Sequence, residues 1–390
     1  MRDQSPERPV NYPPVTLPKL ALYFLKLGTL GFGGPIALVG AMERDLVEER
    51  GWVSRDDYAE GLALAQLAPG PLAAQLAIYL GYVRGGVLGA NLVGATFVLP
   101  SFLMVLAISA LYVRWGGLRP MQALFYGIGA AVIGIIVRSA EKLARKTMGR
   151  DSIAWTLFAV SAAVTALTGR ELIWIVLGSG IAMMLLKVPP RRNGGRTAAG
   201  LLLPPFLVTG LHGPASTETL GTLLVFFAKA GAFVFGSGLA IVPFLYGGVV
   251  GEHAWLTERQ FLDAVAVAMI TPGPVVITVS FIGYLVAGPA GACVAAAGVF
   301  LPVWLFVVLP APYIRRHGAK PRLKAFVLGV TAAATGALAG ATVVIARGAI
   351  RDVPTALIAA GALLAVWRFR IPEPVVVAAA GLLGLVLYAG

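Results

Sequence analysis

The chain has 390 residues, 58% of them hydrophobic and only 13% charged, which excludes an ordinary water-soluble domain. A net charge of +13 would point to nucleic acid in a soluble protein, but here the lysines and arginines fall between long apolar runs, as topology determinants in a lipid bilayer do. The lone Cys293 excludes an intramolecular disulfide and reads as a small packing residue, and three scattered histidines offer no metal-ligand spacing, so neither metal nor cofactor is expected.

Residues 1–18 form a polar, proline-rich tail without the apolar core of a removable signal peptide. An apolar segment from about Leu20 to Met42 follows, then a charged loop (Glu43, Asp45, Glu48, Glu49, Asp56, Asp57) with Trp52 as an interfacial anchor. The next segment, Tyr58 to Val83, is interrupted by Pro69-Gly70-Pro71. Four further helices are expected near Val87 to Tyr112, Met121 to Val137, Ile153 to Leu167 and Leu172 to Leu186.

The pattern then starts again. Pro69-Gly70-Pro71 returns as Pro272-Gly273-Pro274 at an offset of 203 residues, and at the same offset Lys26 matches Lys229 and Trp52 matches Trp255. Beyond a one-residue deletion, Pro100 matches Pro302 and Arg145 matches Arg347. The expected organisation is a first repeat over 19–187, a basic Pro-Gly linker over 188–218 with a short candidate crossing at Leu201 to Leu211, and a second repeat over 219–390. In the second repeat, segments are expected from Leu220 to Gly247, Phe261 to Val286, Ala290 to Val308, Leu323 to Ile345, Pro354 to Val366 and Val375 to Tyr388.

Loop charge orients the halves. Arg138, Lys142, Arg145, Lys146 and Arg150 make a basic loop late in the first repeat, whereas in the second the basic loop comes earlier, at Arg315, Arg316, Lys320, Arg322 and Lys324. Short basic loops stay cytoplasmic, so the expected fold is an all-α polytopic membrane protein of two inverted-topology repeats with broken helices at Pro-Gly-Pro. With both broken segments spanning, the count is about 13 crossings; a re-entrant broken segment would change it.

The broken segments carry the chemistry. Ser54 with Asp57, and Thr257 with Gln260, have capping-box spacing ahead of the apolar runs. Pro69 and Pro272 stop one half-helix, Gly70 and Gly273 turn the chain, and Pro71 and Pro274 suit the start of the next. The N–H groups that follow would point into the membrane interior, where such an end binds anions, and Gln66, Gln75, Thr271 and Thr278 could add donors. Lys26 and Lys229, inside apolar runs, would supply positive charge at a cost of at least about 2.5 kcal/mol each, unless they snorkel to the headgroups. Gly33 and Gly34, with Gly236 and Ser237 opposite, allow close backbone approach to a helix or a ligand. Glu60 and Asp263 occupy equivalent positions and are the candidate proton carriers, although a helix dipole alone would favour acids there.

In Phe24-Leu25-Lys26-Leu27-Gly28, Gly31-Phe32-Gly33-Gly34-Pro35 and Gln66-Leu67-Ala68-Pro69-Gly70-Pro71, with their looser second copies, the chain resembles the chromate ion transporter family in its long, two-domain form. The resemblance implies a multi-pass protein of the bacterial inner membrane that exports chromate on the proton gradient. A homodimer is a candidate assembly. A sulfate or other oxyanion carrier fits the same residues, because sulfate has the same charge and nearly the same shape. A channel, or a membrane enzyme acting on a phosphorylated lipid, is the alternative of another class; the acidic loop Glu43 to Asp57, the nearest polar cluster such an enzyme could use, lacks histidine and cysteine.

Overall fold

The computed structural model describes residues 15–32, 34–115, 118–168, 173–187, 217–234, 238–313 and 321–388. Among these the chain is helical throughout, without a strand. The first half contains α1 (Leu17–Leu30), α2 (Gly34–Met42) with a π-helical turn at Glu43–Glu49, α3 (Arg55–Leu67), α4 (Leu72–Trp115), α5 (Arg119–Met148), α6 (Ser152–Thr168) and α7 (Ile173–Lys187). The second half repeats the order with α8 (Thr217–Phe233), a 3₁₀ turn and the short α9 (Val242–Leu245) with a π-helical turn at Tyr246–Glu252, then α10 (Glu258–Ile270), α11 (Thr278–Val308) after a 3₁₀ turn at Val275–Ile277, α12 (Pro321–Ala349), α13 (Val353–Arg368) and α14 (Glu373–Leu387). Stretches within Leu72–Trp115, Arg119–Met148, Val275–Tyr313 and Pro321–Ala349 are long and apolar enough to cross a bilayer, so the protein is an all-α polytopic membrane protein.

Both broken segments double back instead of spanning. The α3 helix starts where the Ser54 hydroxyl accepts the Asp57 N–H, and it ends at Ala68, held extended by the proline that follows. Thirteen residues reach only about 20 Å, short of the roughly 30 Å hydrocarbon core. The chain then returns through the first arm of α4, so that Tyr79 Oη donates to Glu60 Oε2 at 3.0 Å across the two legs. At Gly85 and Gly86 the backbone leaves helical geometry, and a second arm, 87–115, runs the full thickness. The second half does the same at Ala287 and Gly288.

The expected single segment from Leu20 to Met42 is likewise two legs. It breaks at Gly31 and Phe32, and the return leg comes back beside its start, where Tyr23 Oη donates to Asp45 Oδ2 at 3.1 Å and the Arg50 guanidinium lies 5.5 Å from the Tyr23 ring. The segment expected from Leu220 to Gly247 breaks in the same way after α8, and Phe226, at Tyr23's position, stacks on Phe244. The acidic stretch from Glu43 is thus partly a π-helical turn rather than open loop. The basic residues Arg138, Lys142, Arg145 and Lys146 ride on the last turns of α5. Cys293 faces outward instead of packing inside. The candidate crossing at Leu201 to Leu211 lies outside the described residues.

The halves are intertwined. Helices α6 and α7 of the first pack on α12 of the second, while α13 and α14 pack on α5. Glycines allow the close approach: a Cβ on Gly127 would overlap the Ala380 carbonyl, and one on Gly336 the Phe158 carbonyl. A Lys187–Asp151 ion pair ties the end of α7 to the start of α6 and holds the Asp151 carboxyl below its ordinary range.

The 29-residue second arm of α4, about 43 Å long, fixes where the two hairpins stand. The α3 hairpin is rooted at its beginning, beside Gly85. The α10 hairpin is rooted at its far end, where Tyr112 meets Asp263. The two hairpins therefore enter from opposite ends of the bundle.

Candidate functional site

The hairpin tips meet in the middle. Gly70 (φ +140°) and Gly273 (φ +99°) turn the chain in conformations that L side chains avoid. The Gly70 N–H donates to the Val234 carbonyl at 2.5 Å, and the Gly273 N–H to the Gly31 carbonyl at 3.0 Å. Val234 stands where Gly31 stands in the first half, so each Pro-Gly-Pro tip of one half is bound by the break after the first helix of the other. Among the described residues no backbone acceptor meets the N–H groups of Leu72, Ala73 and Ala74, or of Val275 and Val276, and all five residues are buried. Two helix starts with open donors thus face the interior from opposite ends, the arrangement that favours an anion.

Around the tips the two halves differ. Ser101, buried halfway along α4, donates to the Pro272 carbonyl at 2.7 Å. Its counterpart by the repeat is Val303, which faces Gly70. On that side Gln75, fully buried, donates through Nε2 to the Pro69 carbonyl at 2.7 Å, and its Oε1 has no partner among the described residues. Thr271 and Thr278, expected as extra donors, give their hydroxyl hydrogens to the carbonyls of Val267 and Val275. Gln75 thus bridges its own Pro-Gly-Pro turn, and the two threonines bond carbonyls three or four residues back in their own helical turns, because buried backbone carbonyls next to the breaks need partners. Gln66 is exposed on α3, one residue before its end.

Lys26 and Lys229 lie four residues before the ends of α1 and α8, near the level of the tips. Both side chains are exposed, on the side of α1 and α8 away from their buried faces, and neither forms an ion pair among the described residues. Gly34 opens α2 with φ +73°, whereas Gly33, Gly236 and Ser237 lie outside the described residues.

The equivalent acids have different settings. Glu60 is half-buried and accepts from Tyr79 of its own hairpin. Asp263 is 3% exposed and accepts from Tyr112 Oη of the other half at 2.6 Å, in a cavity that also holds Gln122 and Arg259. Ser101, Tyr112 and Arg259 escaped sequence reasoning. For Ser101 a signal existed: it follows Pro100, which repeats as Pro302, and it is polar where Val303 is not.

A family model described as chromate transporter matches residues 18–184 and again 221–385. A chromate transport protein from Cupriavidus metallidurans is 58% identical over 378 residues, covering 96% of this chain and 94% of the relative. A probable chromate transport protein from Synechococcus elongatus is 56% identical over 385 residues, covering 97% of each. A chromate transport protein from Pseudomonas aeruginosa is 34% identical, covering 96% of this chain and 94% of its own length. No solved structure matches the chain.

Proposed function

Because the chain belongs to the chromate transporter family, a family of transporters and not of enzymes, we propose that it is a secondary transporter exporting chromate across the bacterial inner membrane on the proton gradient. The observation that carries this reading is the pair of crossed tips. A tetrahedral dianion leaving water needs several fixed donors and positive charge, and two buried helix starts supply donors without reorganisation. Lys26 and Lys229, near the level of the tips, are the source of compensating charge; their side chains lie on the outer sides of α1 and α8, so they reach the anion in a state that turns those sides inward. Glu60 and Asp263 are the proton carriers, with Asp263 the more deeply buried.

The arrangement suits alternating access. The α3 hairpin closes the path from one end and the α10 hairpin from the other, so rocking one repeat against the other exposes the tips to each side in turn. Because each broken segment doubles back, it adds no crossing, so the number of crossings falls below the roughly 13 expected with both segments spanning. The two repeats, 19–187 and 219–390, each complete the other's site and are not independent units.

The test is radiolabelled chromate uptake into everted vesicles. Uptake should saturate, collapse with an uncoupler and fall at least about tenfold in Lys26→Gln at equal protein level, the equivalent of about 1.4 kcal/mol of lost binding. Uptake indifferent to the uncoupler would contradict proton coupling, and equal competition by sulfate would make this a general oxyanion carrier.

A further inference from the structure

A cavity of about 450 Å3 opens at the root of the second hairpin, between the first turns of α10 and the facing ends of α4 and α5. Its polar wall is Tyr112, Gln122, Thr257, Arg259, Gln260 and Asp263. Arg259 Nη2 donates to the Gln122 carbonyl at 3.1 Å, and among the described residues that carbonyl is the only acceptor its guanidinium meets. A guanidinium carries five N–H groups in a planar fork that matches an oxyanion edge, so most of its donor capacity is open to the cavity. Asp263 lies one turn further into α10 without forming an ion pair with Arg259, its Oδ2 taken by Tyr112. Nothing equivalent stands in the first half, where Asp56 and Asp57 occupy the positions of Arg259 and Gln260.

We infer that this cavity is a vestibule site for a partly hydrated tetrahedral oxyanion, held by Arg259, and that Asp263 takes up a proton as the anion enters. The inference rests on the transporter reading for the identity of the anion. Size supports the hydrated form: a water occupies about 30 Å3 in the liquid, so the cavity holds a tetrahedral anion with much of its shell. Dehydration can then proceed in two stages, in the vestibule and at the tips. The charges facing Asp263 are Arg259 on its own helix and Arg351 at the α12–α13 junction, with the Tyr112 hydroxyl from α4; Glu258 on the first turn is bound by Tyr246. A dianion placed among them adds negative charge beside a buried carboxylate, which favours the carboxyl's protonated form. Anion loading therefore draws a proton into the same cavity.

Equilibrium dialysis of radiolabelled chromate against the purified full chain, with proton uptake followed in weakly buffered solution, tests this. Wild type should bind at two classes of site. Arg259→Gln should lose one class, and Arg259→Lys, which keeps the charge without the fork, should weaken it about tenfold. Lys26→Gln should spare that class. Asp263→Asn should bind chromate there without taking up a proton. Two unaltered classes in Arg259→Gln, or a single class lost only in Lys26→Gln, would overturn the vestibule while leaving the transporter intact. An absence of any chromate binding in wild type would overturn both.

Discussion

The two Pro-Gly-Pro tips have the same backbone and different surroundings. The tip at Gly273 is clamped by the Ser101 hydroxyl on the Pro272 carbonyl, whereas the tip at Gly70 meets the apolar Val303 and relies on Gln75 from its own return leg. Both tips bond the opposite half through the backbone, but only the Gly273 tip gains a side-chain bond across the halves, while the Gly70 tip gains one from its own hairpin. Pseudo-symmetry fixes where the tips stand, and single side chains decide how firmly each is held.

The largest effect should follow from side chains at the tip glycines. A Cβ at Gly273 would overlap Ser101 Oγ, while one at Gly70 would approach Gln75 Nε2 at 2.7 Å and Val303 Cγ2 at 3.1 Å. Both glycines have positive φ, so valine at either place carries a backbone cost of about 1 to 3 kcal/mol, and Gly273→Val adds the clash. Gly273→Val should therefore lose flux and apparent chromate affinity more completely than Gly70→Val, as measured in vesicles at matched expression. Equal losses would remove the distinction between the tips.

A smaller effect is expected from exchanging the clamps. Ser101→Ala leaves the buried Pro272 carbonyl without its hydroxyl partner and should lower stability by about 1 to 3 kcal/mol. Val303→Thr keeps most of the buried volume and brings a hydroxyl to the Gly70 tip, where the repeat sets Pro69 opposite it as Pro272 is set opposite Ser101, and should cost less. Thermal unfolding in detergent would order the two variants, and Val303→Thr proving the worse would mean that the clamp is incidental.

The smallest effect belongs to the hairpin roots. Ser54→Ala removes the side-chain acceptor of the Asp57 N–H and should cost about 1 kcal/mol. Thr257→Ala removes the hydroxyl that accepts the Gln260 N–H, but the backbone N–H at 257 still donates to Gln260 Oε1, so it should cost slightly less. Calorimetric midpoints would show the order.

Local signals were the most legible. Both caps, both breaks and the repeat itself could be read from residue types at fixed offsets, since prolines, glycines and capping hydroxyls act through their own backbone. Direction after the break was not legible: a helix pair that continues and one that doubles back share the same apolar pattern, and only contacts such as Tyr79 with Glu60 tell them apart. The same blindness joined Leu20 to Met42 into one segment. The partners of the side-chain donors were not legible for a different reason, because the sequence places Gln75, Thr271 and Thr278 near the tips but does not say which acceptors they meet there. Exchange of α6, α7, α13 and α14 between halves depends on glycine faces that any packed membrane helix could carry.

The central claim, that both hairpins double back and enter from opposite faces, is tested most directly by labelling single cysteines with a membrane-impermeant maleimide. Cys293→Ala gives the background, and Asp56→Cys and Val87→Cys bracket the first hairpin while Glu252→Cys and Ala290→Cys bracket the second. The account predicts that positions 56 and 87 react from one face of the membrane and positions 252 and 290 from the other. Positions 56 and 87 reacting from opposite faces would show a spanning broken helix, and all four reacting from one face would show parallel repeats; either result would contradict it.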